Sequence, residues 1–195
     1  MKSIAQLALI AALALGFVHN ASAAPETYVI DPVHSTLNFS LRHLVSKFTG
    51  SFTKVSGSIS VDRTDLTRSS VEAQIEIASL STADEKRNGH VLSPDFFDVS
   101  QYATASFKST AWKKTGEDAY EVNGQLTLKN ITKPVTLQVK LLGFGEGMNN
   151  AKLSGWEVSG LIKKSDFGLA GPAMLSKALG DDVTISIGIE AVLKK

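Results

Sequence analysis

The sequence contains no cysteine. That excludes disulfides, an N-terminal lipidated cysteine, thiolate metal sites and a cysteine nucleophile. Aromatic residues are scarce, at 7%, and do not gather at strand ends, whereas a membrane-spanning β-barrel needs aromatic girdles at both rims. Neither charge dominates: 20 Lys+Arg face 19 Asp+Glu. The pairs Lys113-Lys114, Lys163-Lys164 and Lys194-Lys195 are isolated, so the basic excess that phosphate backbones demand is missing, and nucleic acid is excluded as a partner. A hydrophobic content of 43% with 20% charged residues excludes a disordered chain. Proline and glycine form no periodic or low-complexity tract, and no internal repeat is visible.

Long apolar runs are also lacking, with one exception. Leu7 to Val18 is unbroken and apolar, Lys2 is the only charge before it, and Ala21-Ser22-Ala23 follows. A basic end, a short apolar core and a small-x-small site make a secretory signal. The run is too short to span a bilayer, which takes about 20 residues. Residues 1–23 are therefore expected to be removed, leaving residues 24–195 as a single exported domain in a bacterial periplasm. No later segment is long and apolar enough for stable membrane insertion.

The remainder alternates apolar and polar residues with period two, the mark of half-buried strands. Thr36 to Arg42, Val71 to Ile77, Val135 to Leu141 and Val183 to Ile189 show it cleanly. Gly50 to Asp62, Thr104 to Lys113, Tyr120 to Leu128 and Lys152 to Lys164 show it more weakly. Turn signals lie between: Asp62-Arg63-Thr64-Asp65, Lys114 to Asp118, Gly145 to Asn150 and Gly180-Asp181-Asp182. Ser81 to Ser93 breaks the alternation. Thr82-Ala83-Asp84-Glu85 reads as a capping box, so a short helix is expected over 83–92 with Thr82 as its N-cap. About eight long antiparallel strands must hide one apolar face each. A soluble, closed barrel with a greasy interior does so and removes the sheet edges, and strand length favours it over a sandwich.

No local signature of catalysis stands out. There is no G-x-S-x-G elbow, no phosphate loop and no H-E-x-x-H. His34, His43 and His90 lack ligand spacing, so no metal site is expected and no cofactor is implied. Asp95/Asp98 and Asp181/Asp182 read as turn carboxylates. Two segments look too particular for plain barrel wall: Asp31-Pro32-Val33-His34-Ser35, and Arg87 to Asp98 with its Phe96-Phe97 pair. The phenylalanine pair reads either as a plug in one barrel end or as a gate over an apolar cavity.

These segments resemble motifs of the YceI-like family of polyisoprenoid-binding barrels. The first is Asp31-Pro32-x-His34-Ser35-x-x-x-Phe39-Ser40-x-x-His43-Leu44, followed by Gly50-x-Phe52 and Gly57. The second is Arg87 to Asp98, continuing to Phe107-Lys108-Ser109. The third is Gly124-x-Leu126-Thr127-Leu128 with Thr132-Lys133-Pro134-Val135, and the fourth is Ser165-Asp166-Phe167-Gly168. They occur in the family's order across nearly the whole exported chain. Val91, Leu92, Ala103, Asn130 and Lys164 depart from the usual pattern. The resemblance implies an all-β fold: an eight-stranded antiparallel lipocalin-like β-barrel with a short helical insertion. It also implies a long-chain apolar ligand, an isoprenoid or related lipid, held for sequestration or transport, and it admits a homodimer. The expected lining is Leu37, Phe39, Leu41, Leu137, Val139, Ile185 and Ile187, joined by Phe96, Phe97 and Phe167. Candidates for a polar head group are His34, Arg42, His43 and His90. Two alternatives stay open: an enzyme acting on a lipid or quinone, and a structural or partner-binding barrel in which the same apolar residues form a filled core.

Overall fold

The computed structural model describes residues 24–195; the expected signal segment, residues 1–23, lies outside them. The strands are β1 (Glu26–Ile30), β2 (Thr36–His43), β3 (Ser46–Phe52), β4 (Val55–Val61), β5 (Ser70–Glu76), β6 (Leu80–Ser81), β7 (Thr104–Gly116), β8 (Ala119–Leu128), β9 (Ile131–Glu146), β10 (Lys152–Lys163) and β11 (Leu179–Leu193). One helix, α1 (Glu85–Leu92), lies between β6 and β7. All pairings are antiparallel, in the order β1-β4-β5-β7-β8-β9-β10-β11, and β11 pairs back onto β1 to close the ring. The barrel is therefore eight-stranded, as the sequence leads one to expect.

Eleven segments make eight staves because three staves are broken. The first half of β11 pairs with β2 and its last residues with β1, so β1 and β2 share one stave. Likewise β3 pairs with β2 and β4 with β1. The sequence reading of Gly50 to Asp62 as one strand is corrected by this break. At Thr53-Lys54 the backbone leaves the ladder, and the Thr53 and Lys54 N–H groups donate to the Ser79 carbonyl and hydroxyl instead. The Gly180-Asp181-Asp182 turn is also corrected: these residues lie within β11, at a register irregularity between Leu179 and Val183. The Asp181 carboxylate there accepts from the Ser165 N–H and hydroxyl. A short strand, Glu26–Ile30, precedes the first one read from the sequence.

The helix starts later than the capping box suggests. Ala83 takes a left-handed φ of 59°, which turns the chain and leaves Asp84 extended at the N-cap, its carboxylate accepting from the Arg87 N–H at 2.8 Å. Thr82 is buried instead, its N–H and hydroxyl both donating to the Asn88 side-chain oxygen.

Side chains sort by the pleat. On β8, Tyr120, Val122, Leu126 and Leu128 are buried, while outward positions on β5 are Glu72, Gln74 and Glu76. Apolar inside and polar outside is the reverse of a membrane-spanning barrel. Among the described residues no helix is long and apolar enough to cross a membrane. Two core clusters form. One closes the end that holds the β7–β8 and β9–β10 turns, with Tyr28, Trp112, Tyr120 and Trp156. Its rings meet edge-on or tilted, Trp112–Trp156 at 5.8 Å and Phe144–Trp156 at 6.1 Å. The other lies toward the opposite end, with Ile77, Phe96, Leu126, Leu128, Phe167 and Leu169.

Candidate ligand cavity

Between the two clusters the barrel is hollow. A cavity of about 720 Å³ runs from Trp112 and Trp156 to the exposed His43, Ser46, Lys47, Arg87 and His90. That volume falls within the range of small-molecule sites, roughly 300–1,000 Å³. The wall is bare in one region. Leu37, Phe39, Leu41, Phe48, Ala73, Val183, Ile185 and Ile187 line the cavity yet belong to neither core cluster. Inward-pointing apolar side chains that neither buried cluster takes up are the physical mark of an unfilled interior.

Nine of the ten apolar residues expected to line the interior do so: Leu37, Phe39, Leu41, Phe96, Phe97, Leu137, Val139, Ile185 and Ile187. Phe167 is the exception. It is fully buried in the second cluster, where Gly168 in the left-handed region (φ 68°) ends a short helical turn. Val139 lines the cavity but also belongs to the closed-end cluster with Tyr28, Trp112 and Trp156, so it sits at the floor.

Of the head-group candidates, His43 and His90 reach the cavity and His34 and Arg42 do not. Arg42 donates to the Leu44 carbonyl. His34 sits in the break between β1 and β2. Its Nδ1 lies 2.8 Å from Asp31 Oδ2 and 3.7 Å from Glu190 Oε1. The Asp31 hydrogen bond holds His34 above its ordinary value of 6.5, and the His34 hydrogen bond holds Asp31 below its ordinary 3.8. Ser35 completes the clasp, its hydroxyl donating to the Glu190 carbonyl and accepting from the Glu190 N–H. The Asp-Pro-x-His-Ser motif is thus explained as the device that ties a broken stave to β11.

Asp31, His34 and Glu190 each offer a ligand atom, all within 4.8 Å of one another, a grouping that local spacing could not reveal because Glu190 is remote in sequence. His34 is exposed and hydrogen-bonded to Asp31 already. His90 pairs with Asp95 at 2.9 Å. Among the described residues no serine or threonine hydroxyl is hydrogen-bonded to either histidine ring.

The Phe96-Phe97 pair serves as both plug and wall. Phe96 is buried under Gly171, which lies so close that a Cβ there would meet its ring at 2.5 Å. The Lys129 ammonium donates to its carbonyl at 2.6 Å. Phe97 is half-buried, lines the cavity and meets Phe52 edge-on at 5.8 Å, which lays the helix-bearing segment against β3. Asp98, beside it, is a turn residue: its carboxylate accepts from Ser100 and Gln101.

Sequence reasoning missed the cations of the mouth: Lys47, Arg87 and Lys164 all line the cavity. Arg87 lies three residues before His90 on α1, a spacing that puts both on one helix face and was the available signal. The floor carries one unsatisfied group. The Trp112 indole N–H is buried and has no acceptor among the described residues, an uncommon state for a buried donor.

A family model described as the YceI-like domain matches residues 28–191. A Pseudomonas syringae pv. tomato relative named UPF0312 protein is 35% identical over 197 residues, covering 100% of this chain and 98% of its own. Protein YceI of Escherichia coli O17:K52:H18 is 35% identical over 180 residues, covering 89% of this chain and 91% of its own. The crystal structure of Burkholderia cenocepacia BcnA superimposes with a TM-score of 0.76 at 25% identity, over 83% of this chain and 99% of that one. A polyisoprenoid binding domain from Saccharophagus degradans shares the fold with a TM-score of 0.66 at 21% identity, over 86% of this chain and 98% of that one.

Proposed function

The chain belongs to the YceI-like family, and on that premise we propose that it is a periplasmic lipid carrier that holds one long apolar chain inside the barrel. One observation carries this reading: a cavity of about 720 Å³ whose wall includes inward-facing apolar residues outside both core clusters. An isoprenoid or related lipid fits that wall. The Saccharophagus degradans domain, described as polyisoprenoid-binding, speaks for the shared fold, and the ligand reading rests on the cavity itself. Export rests on the signal segment ending at Ala23.

The chemistry is burial. Each CH₂ moved from water to an apolar wall gains about 0.8 kcal/mol, so about ten of them supply about 8 kcal/mol, on the scale of micromolar binding before ordering costs. No bond need be made or broken, and few polar contacts are required.

Chain length is the test. Delipidated protein is titrated with isoprenoid alcohols of rising length. Affinity should rise about fourfold per added CH₂ equivalent, then level off when the cavity is full. Absence of binding, or affinity indifferent to length, would overturn the reading.

A further inference from the structure

Resting on the lipid-carrier reading, we propose that the open end of the barrel docks on the surface of an anionic lipid bilayer, through the tip of the β2–β3 hairpin and the neighbouring residues 172–178. Val45 at the tip is fully exposed, Leu44 beside it is 56% exposed, and Met174 is 85% exposed. None of the three lines the cavity. The Leu44 N–H donates to the Ala178 carbonyl at 2.7 Å, so tip and neighbouring segment form one rim. From the same two elements His43, Lys47, Leu175 and Leu179 line the cavity itself. The exposed apolar side chains thus stand where a lipid chain would pass between bilayer and barrel.

The tip is ill suited to water. His43 faces Ser46, which leaves Leu44 and Val45 as a two-residue turn. Leu44 takes a left-handed φ of 51°, a conformation that Gly, Asn or Asp adopts at lower cost. An apolar, backbone-strained residue on an exposed turn gains only where its side chain leaves water, as at the acyl boundary of a bilayer. Charge selects the surface. No Asp or Glu occurs between Asp31 and Asp62, nor between Asp166 and Asp181, so both rim segments carry cations alone. Arg42 stands opposite Lys47 in register across the hairpin, and like charges so placed repel. Arg42, Lys47 and Lys177 are exposed, and among the described residues none of them makes an ion pair. An anionic lipid surface would relieve that repulsion. The α1 side of the opening is mixed, with Asp84, Glu85 and Asp95 beside Lys86 and Arg87, so the docking edge is the hairpin and residues 172–178.

Sedimentation with vesicles tests the docking. Vesicles of phosphatidylcholine mixed with phosphatidylglycerol should carry the native protein down, and added salt should weaken this. Phosphatidylcholine alone should bind it more weakly. Leu44→Asn combined with Val45→Asp should weaken binding to the mixed vesicles about tenfold or more. The same variant should keep its melting temperature, since Asn suits the left-handed turn, and its affinity for a long-chain isoprenoid alcohol in solution. Should the double variant unfold, Val45→Asp alone, at a fully exposed position, gives the same decision. Met148→Asp is the control: Met148 is equally exposed but lies in the β9–β10 turn at the closed end, so vesicle binding should not change. Native protein that ignores the mixed vesicles, or loses as much binding through Met148→Asp, overturns the docking. So does a native dimer that the tip variant splits into monomers, because the rim then meets a second copy. In each of these cases retained binding of the alcohol leaves the carrier reading standing, and failure to bind the alcohol overturns that reading itself.

Discussion

Replacing Ile185 by Trp separates a hollow barrel from a filled one. Ile185 faces Phe39 on β2 and Gly160 on β10, lines the cavity and packs in neither core cluster. In a core of ordinary density the larger ring forces neighbours off their rotamers and costs about 1–3 kcal/mol. A domain of this length loses about 2–4 °C of melting temperature per kcal/mol, so the fall would be roughly 2–12 °C. In a hollow barrel the ring finds room. Burying roughly 50 Å² more apolar surface at about 25 cal/mol/Å² gains about 1 kcal/mol, so the ligand-free melting temperature holds or rises by a few degrees. The ring also takes the space of about two more chain carbons than the isoleucine did, and at about 0.8 kcal/mol each a chain that fills the cavity loses about 1.6 kcal/mol, roughly fifteenfold in Kd. Ser186→Trp is the control, because Ser186 is the exposed neighbour and its ring should leave both readings unchanged. The assay is thermal melting of delipidated protein, paired with titration by a long-chain isoprenoid alcohol. An Ile185→Trp protein that melts several degrees lower yet binds normally refutes the reasoning. Val139 would be a poorer site for this test, since it packs within the aromatic floor.

Three further outcomes are expected. Gly57 has φ +145°, and a Cβ there would meet the Glu72 carbonyl oxygen at 2.2 Å, so Gly57→Ala should cost about 3 kcal/mol; an unchanged melting temperature would contradict the close strand approach. In the clasp, the raised His34 contributes stability at low pH that is lost as pH rises through its folded value, and the lowered Asp31 contributes stability lost as pH falls through its own. The clasp is therefore complete between a pH below 3.8 and one above 6.5, and an NMR titration should find His34 above 6.5, returning toward it in Asp31→Asn; a native His34 at or below 6.5 contradicts the clasp. Intact mass of periplasmic material should begin at Ala24, and material retaining residues 1–23 would remove the export argument.

Where one face of a strand is buried, the sequence shows it. Leu37-x-Phe39-x-Leu41 and Ile185-x-Ile187 are readable as inward-facing because the pleat alternates and no other force competes. The break between β3 and β4 was not legible. Thr53-Lys54 carries no proline or glycine, and the chain leaves the ladder there because Ser79, on another stave, supplies the replacement hydrogen bonds. The Glu26–Ile30 strand is short, and its pairing with β11 is a long-range fact. Period-two patterns also cannot tell a wall from a core: Val139 and Ile185 have the same signature, and one packs among tryptophans while the other faces a void. Arg87 was legible only through its spacing to His90 on α1; that its side chain donates to the Thr82 hydroxyl and lies over the Phe48 ring of β3 follows from tertiary placement.

The barrel should enclose one long apolar molecule. Organic extraction of protein purified from its own host, without delipidation, followed by mass spectrometry and quantification against protein, measures this. About one mole of a long-chain isoprenoid-type lipid per mole of barrel is expected, reduced in the Ile185→Trp protein and unchanged in Ser186→Trp. Native protein that yields no stoichiometric lipid and melts at the same temperature before and after extraction would contradict it.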